Sequence, residues 1–203
     1  MPSEQGIFCL LKGNYQEAKG LIKQEDYPLE LAYAYFLSGE ISQALKILSL
    51  IDCTRANWLR ELINLVVTSK MQNVTYFQIR NFVELDIDLF INSKRIDYLE
   101  KLFAYSSKLS EVNSETYKLI GRVLFNSNLF SLAKYYLDLY KNIVYYDPEL
   151  HFLYAKFYLL DGNYELALSS INSCLNSLPA YYPAKKLRNE IEERINSSNI
   201  FQK

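Results

Sequence analysis

The chain is short of the residues from which most reactive sites are built. Its 203 residues include one histidine, three cysteines, six glycines and five prolines. Cys9, Cys53 and Cys174 are odd in number, far apart and never in a Cys-x-x-Cys pair, which excludes a disulfide framework and leaves too few soft ligands for a zinc site. Neither sign of charge dominates, since 22 Lys and Arg face 23 Asp and Glu for a net charge of -1. Polyanions and anionic bilayers attract proteins through a clustered basic excess, so neither nucleic acid nor a membrane is an expected partner. No stretch approaches the roughly 18 uninterrupted apolar residues of a membrane span. The longest run, Leu62 to Val67, is broken by Asn64. The residues from Met1 to Gln5 lack the basic and apolar regions of a secretory signal, so the expectation is a soluble, cytoplasmic protein. Asn73-Val74-Thr75 and Asn196-Ser197-Ser198 then match glycosylation acceptors by chance. Gly13, Gly20 and Gly39 are spaced as helix ends and form no phosphate-cradling loop.

What the chain has in plenty is apolar and aromatic mass. Half of it is hydrophobic and 15% aromatic, with 18 Tyr and 11 Phe, enough to build a sizeable core. Internal repetition organises that mass. Gly13-Asn14-Tyr15-Gln16-Glu17-Ala18, Gly39-Glu40-Ile41-Ser42-Gln43-Ala44 and Gly162-Asn163-Tyr164-Glu165-Leu166-Ala167 share one pattern of glycine, polar, large, two further residues and alanine. Ala133 precedes Ala167 by 34 residues, and Leu99 precedes Ala133 by 34 again.

That string and period resemble the tetratricopeptide repeat family, whose pattern is a large residue, an aliphatic, a small residue and a large one on the first helix, then alanine and a large residue on the second, then proline. In one copy the places fall on His151, Tyr154, Ala155, Tyr158, Ala167, Ile171 and Pro179, with Cys174 at a further small place. In the copy before it they fall on Tyr117, Ile120, Gly121, Leu124, Ala133 and Leu137, and near the N-terminus on Leu31, Ala32, Tyr35, Ala44 and Leu48. Small residues let two antiparallel helices approach, and large neighbours fill the gaps around them. The resemblance implies an all-α fold, a right-handed superhelical solenoid of antiparallel helix pairs. Residues 1–203 then form one array: N-terminal repeats at 1–51, a degenerate middle at 53–110, well-matched repeats at 111–180 and a capping helix at 181–197. The segment from 53 to 79 breaks the register and reads as one additional helix.

Twelve helices are expected, over about 3–12, 15–24, 28–38, 40–51, 54–70, 75–92, 95–109, 114–126, 129–143, 148–160, 164–177 and 181–197. Pro28, Pro148, Pro179 and Pro183 mark their starts and stops, and fraying is expected from Ser197.

No constellation of nucleophile, acid/base and orienting group stands out, so the chain is expected to be no enzyme and to need no cofactor or metal. His151 occupies the place where the repeat packs a large aromatic, and Cys9 and Cys174 read as small buried hydrophobes. The resemblance implies a protein or peptide partner on a concave face. Family positions place that groove on Tyr33, Phe36 and Leu37, on Glu84 and Asp88, on Lys118, Arg122 and Phe125, and on Phe152, Lys156 and Leu159. Lys118, Arg122 and Lys156 would converge on an acidic segment, with Phe125, Phe152 and Leu159 as apolar pockets. The alternative is that Glu84 and Asp88 simply pair with Lys118 and Arg122. Some family members clamp a C-terminal carboxylate. Here Lys118 fits one clamp place, but Arg122 and Leu153 replace its asparagines. The N-terminal repeats are also similar to those of anaphase-promoting-complex subunits, which implies self-association through the helix carrying Ile7-Phe8-Cys9-Leu10-Leu11. Tyr135, Tyr136, Tyr140, Tyr145 and Tyr146 are open to either packing or recognition, with packing expected for about two thirds of them.

Overall fold

The computed structural model describes residues 2–200. Among these it is all-helical, with thirteen helices and no strand. They are α1 (Pro2–Leu11), α2 (Tyr15–Leu21), α3 (Pro28–Leu37), α4 (Ile41–Leu48), α5 (Thr54–Thr68), α6 (Tyr76–Asn92), α7 (Ile96–Ala104), α8 (Ser106–Val112), α9 (Thr116–Asn126), α10 (Phe130–Lys141), α11 (Pro148–Leu160), α12 (Tyr164–Ser177) and α13 (Tyr182–Ile200). Sequence and structure differ chiefly at the expected helix 95–109, which is interrupted at Tyr105. The Tyr105 hydroxyl donates to the Met71 carbonyl at 3.0 Å and Ser106 Oγ to the Phe103 carbonyl at 2.6 Å, so both side chains anchor the break between α7 and α8. The last helix runs to Ile200, and residues 201–203 lie outside the described residues.

The starts follow from local chemistry. Thr75 Oγ1 accepts the Gln78 N–H at 3.3 Å while Gln78 Oε1 accepts the Thr75 N–H at 2.8 Å, a reciprocal capping box that opens α6. Asp147 takes the Glu149 and Leu150 N–H groups ahead of Pro148 to open α11. Cys53, exposed and outside any reactive cluster, accepts from the Ala56 N–H at the start of α5.

One turn recurs. At Gly13, Gly39, Lys94, Asn128 and Gly162 the backbone is left-handed, with φ of 79°, 82°, 58°, 61° and 72°. In each case the next N–H reaches back five residues to a helical carbonyl, as Asn14 to Cys9, Glu40 to Tyr35, Arg95 to Phe90, Leu129 to Leu124 and Asn163 to Tyr158, all at 2.8–2.9 Å. This is the Schellman ending of a helix. Lys94, Asn128 and Gly162 are each 34 residues apart. Five residues after each turn stands Ala18, Ala44, Leu99, Ala133 or Ala167, all buried. The opposing small residues Ala32, Gly121 and Ala155 are buried too. The small-residue pattern therefore does what close helix approach demands.

Residues 1–136 and 137–203 form two compact units. In the first, α5 is the additional helix expected from the broken register, and it buries Trp58, Leu59, Leu62, Ile63 and Leu65. Gly13 is needed twice over there: besides its positive φ, a Cβ would lie 2.2 Å from the Asn92 carbonyl oxygen. In the second unit, Ala155, Ala167, Ile171, Cys174 and Leu175 form a core that Ala184 and Ile191 of α13 close.

Candidate functional site

Within residues 1–136, the expected groove divides into core and surface. Tyr33, Phe36 and Leu37 of α3 are buried, as is Phe125 of α9, so packing takes them up and they present little surface to a partner. Phe36 stacks on Tyr98 with ring centroids 4.7 Å apart, and Phe125 meets Phe130 edge to face at 5.3 Å. Aromatics chosen by family position alone carry no mark of whether the fold leaves them exposed.

The charged members of the groove meet across α6 and α9. Arg122 forks onto Glu84, with Nε to Oε1 at 2.7 Å and Nη2 to Oε2 at 2.6 Å. This is one of the pairs that the alternative reading anticipates. Lys118 bonds Glu115 at 2.9 Å, and Arg80 reaches the same carboxylate at 2.8 Å. Lys118 is itself buried. Asp88 stays exposed and accepts from Asn92 at 3.2 Å. The face is a ladder of matched charges, bordered by Phe77 and Leu85, which are 69% and 59% exposed. Geometry unites these groups, because at about 100° per residue Phe77, Glu84 and Asp88 fall within about 40° on α6.

A second polar cluster was not anticipated. Asp86 is fully buried and accepts from Arg55 Nη2 at 2.7 Å and from the Trp58 indole at 2.5 Å. The Arg55 guanidinium lies between the rings of Tyr33 and Phe82, 4.8 and 4.6 Å from their centroids. Burial, with Asp86 nearby, holds the Tyr33 phenol well above its ordinary value. These groups join α3, α5 and α6. Their chemistry is that of a structural ion pair. A signal for it stood in the sequence: Asp86 shares the apolar stripe of Val83, Ile87 and Phe90.

Within residues 137–203, Phe152, Lys156 and Leu159 share one stretch of α11. Phe152 and Leu159 pack on the core that α13 closes, with Phe152 edge to face against Tyr181 at 5.4 Å. The Lys156 ammonium lies 5.8 Å from the Phe152 ring, and burial lowers its pKa from the ordinary 10.5. Lys118 and Arg122 belong to the other unit.

The same unit holds a cavity of about 340 Å³ that the groove prediction missed. Its walls come from the end of α10, the 142–147 connection, α11 and α12. His151 does pack, tilted against Tyr146 at 4.9 Å, but it also lines this cavity. Its imidazole titrates below the ordinary 6.5, mainly through burial and further through Lys141, against the opposing pull of Asp147. Tyr154 stacks on Tyr158 at 6.2 Å and donates to Asp138, which with burial pushes its phenol far above the ordinary range. Of the five tyrosines left open, Tyr136 and Tyr140 are buried, while Tyr135, Tyr145 and Tyr146 are exposed. Tyr145, wholly solvent-exposed, and Tyr146 border the cavity, which is the signal the tyrosine run carried.

Cys9 and Cys174 are buried as expected, and burial raises both thiols, so neither is poised as a thiolate. Among the described residues no group of three or more His, Cys, Asp or Glu is arranged to hold a metal ion, and no helix is long and apolar enough to cross a membrane. Comparison of the chain with protein-family profiles, curated proteins and solved structures finds no match.

Proposed function

We propose that this chain is a non-enzymatic tetratricopeptide-type scaffold of the cytoplasm that binds a partner polypeptide on the concave side of its stacked helix pairs. The observation that carries the reading is the Schellman turn repeated five times, each followed at the same distance by a buried residue, small in four of the five. Such arrays bury a continuous core from units that cannot fold alone, and they leave a long surface for recognition. The α6–α9 face suits that role. It offers Phe77 and Leu85 as apolar anchors beside the Glu84–Arg122 fork, the mixture of apolar centre and polar rim that interfaces use.

Charge reversal of Lys118 is a poor probe, because the side chain is buried and paired. The informative variants are Phe77→Asp with Leu85→Asp, and the exchange Glu84→Arg with Arg122→Glu, which keeps the pair while reversing its direction. Affinity capture with mass-spectrometric identification is expected to lose a partner with both variants while circular dichroism remains that of the wild type. Retention of every partner by both variants would remove this face from the reading.

A second reading rests on α1, where Phe8 and Leu11 are each 61% exposed while Cys9 and Leu10 are buried. It makes the protein a structural subunit of a larger or self-associating assembly, of the anaphase-promoting-complex kind. Light scattering that shows a monomer at high micromolar concentration, with no co-purifying subunit, excludes it.

A further inference from the structure

We propose that the cavity of residues 137–203 is a binding site for a small planar aromatic anion, one ring bearing a carboxylate or a phosphate. This inference is independent of the scaffold reading and uses none of its groove residues. Ligand cavities run from about 300 to 1,000 Å³, so one of about 340 Å³ has room for one or two rings. Its apolar lining is mostly aromatic, with Tyr146, His151, Tyr154 and Tyr158 beside the aliphatic Val144 and Leu150, so it offers ring faces and edges to a planar ligand.

The sign of the ligand follows from which polar groups are already engaged. Asp147 accepts two backbone N–H groups and the Tyr140 hydroxyl, the last at 2.9 Å. Asp138 accepts the Tyr154 hydroxyl, and the Tyr146 hydroxyl donates to the Ser173 carbonyl. Lys141 is the one cation that lines the cavity, where Asp147 is the one carboxylate, and among the described residues Lys141 makes no ion pair. Its ammonium lies 5.5 Å from the Tyr154 ring, so the face that would cradle a ligand cation already carries one. Lys141, the His151 ring and the hydroxyls of Ser169 and Ser170 remain to meet a ligand, and an anion can use all four. The ring then lies among the tyrosines, with its acid group toward Lys141.

The same chemistry has two sources, a free aryl acid or the aromatic end of a polypeptide. His151 supplies the readout, because it is the only histidine in the chain and gives one set of ring signals by nuclear magnetic resonance. The full-length protein is titrated with 4-hydroxyphenylacetate and phenyl phosphate, with neutral 4-hydroxyphenylacetamide as control and acetyl-Gly-Gly-Tyr with a free carboxylate as the polypeptide arm. Both small anions are expected to shift the His151 signals saturably, and the amide is not. Lys141→Met is expected to weaken binding about tenfold or more, whereas Lys141→Arg keeps it within a few-fold. Lys141 is exposed, so neither variant threatens the fold. Tighter binding of the peptide than of the free acids assigns the site to a partner's aromatic terminus, and the reverse order assigns it to a free aryl acid. Silence of His151 up to concentrations on the order of 10 mM, equal binding of the amide, or an unchanged affinity in Lys141→Met would each overturn the proposal.

Discussion

Removing the Asp86 carboxylate tests the account of the first unit most sharply. Asp86→Ala deletes a fully buried anion and strands two donors, the Arg55 guanidinium at 2.7 Å and the Trp58 indole at 2.5 Å. Breaking a buried ion pair by removing one partner costs about 3–5 kcal/mol, because the remaining charge is left uncompensated. That is a large part of the roughly 5–15 kcal/mol that stabilises a domain, and it corresponds to a fall in melting temperature of about 10 °C. The comparison that isolates the cause is Arg55→Leu with Asp86→Leu. That variant removes both charges and keeps the volume, so its cost is expected to be only about 1–2 kcal/mol, mostly for the orphaned indole N–H. Urea unfolding followed by circular dichroism gives the stabilities. Trp58, the only tryptophan, reports by fluorescence from within the cluster itself. A single variant within about 1 kcal/mol of the wild type refutes the argument, as does a double variant as unstable as the single.

The recurring turn yields two further expectations. Gly13→Ala is expected to destabilise by more than the roughly 1–2 kcal/mol of a left-handed alanine, because its Cβ would also strike the Asn92 carbonyl, whereas exposed Gly20 of α2 has open space around it and Gly20→Ala is expected to stabilise by about 0.5–1 kcal/mol. Denaturant midpoints that fail to move in opposite directions contradict this. Lys94 holds the same left-handed conformation with φ of 58° but carries a side chain, so Lys94→Gly is expected to raise stability by about 1 kcal/mol, read as a later urea midpoint at unchanged slope. His151 is expected to titrate below 6.5, and Lys141→Met to move that titration upward by removing a neighbouring positive charge. Because the folded pKa is depressed, the contribution of His151 to stability is complete above the unfolded value of 6.5 and is lost as pH falls through the folded pKa. His151→Gln is expected to flatten that part of the stability profile.

The fold was legible because helix ends and close contacts are written locally. The glycine-polar-large-alanine string marked hairpin turns at Gly13, Gly39 and Gly162, and the 34-residue step carried the frame to Asn128 and Lys94, where the turn persists without glycine. Proline at Pro28 and Pro148 fixed two helix starts to the residue. What did not show in the sequence were choices made by packing between distant segments. Nothing near Tyr105 announces that its hydroxyl will find Met71, 34 residues earlier, and divide a helix.

The charged residues of α6 show why the site was harder to read than the fold. Glu84, Asp86 and Asp88 alternate along five residues, and a helix sends the middle one to the face opposite its neighbours. Glu84 and Asp88 therefore reach solvent, where one meets Arg122 and the other stays exposed, while Asp86 enters the core and draws Arg55 and Trp58 after it. Residue type and spacing placed all three acids on the right helix. Only the identity of the opposing elements decided which became surface and which became structure. The same holds for Lys118 and Lys141: the first is buried and paired with Glu115, whereas the second lines a cavity and makes no ion pair among the described residues. A lysine with a committed partner is a support for the fold, and one facing aromatic rings and hydroxyls is free to recognise an anion.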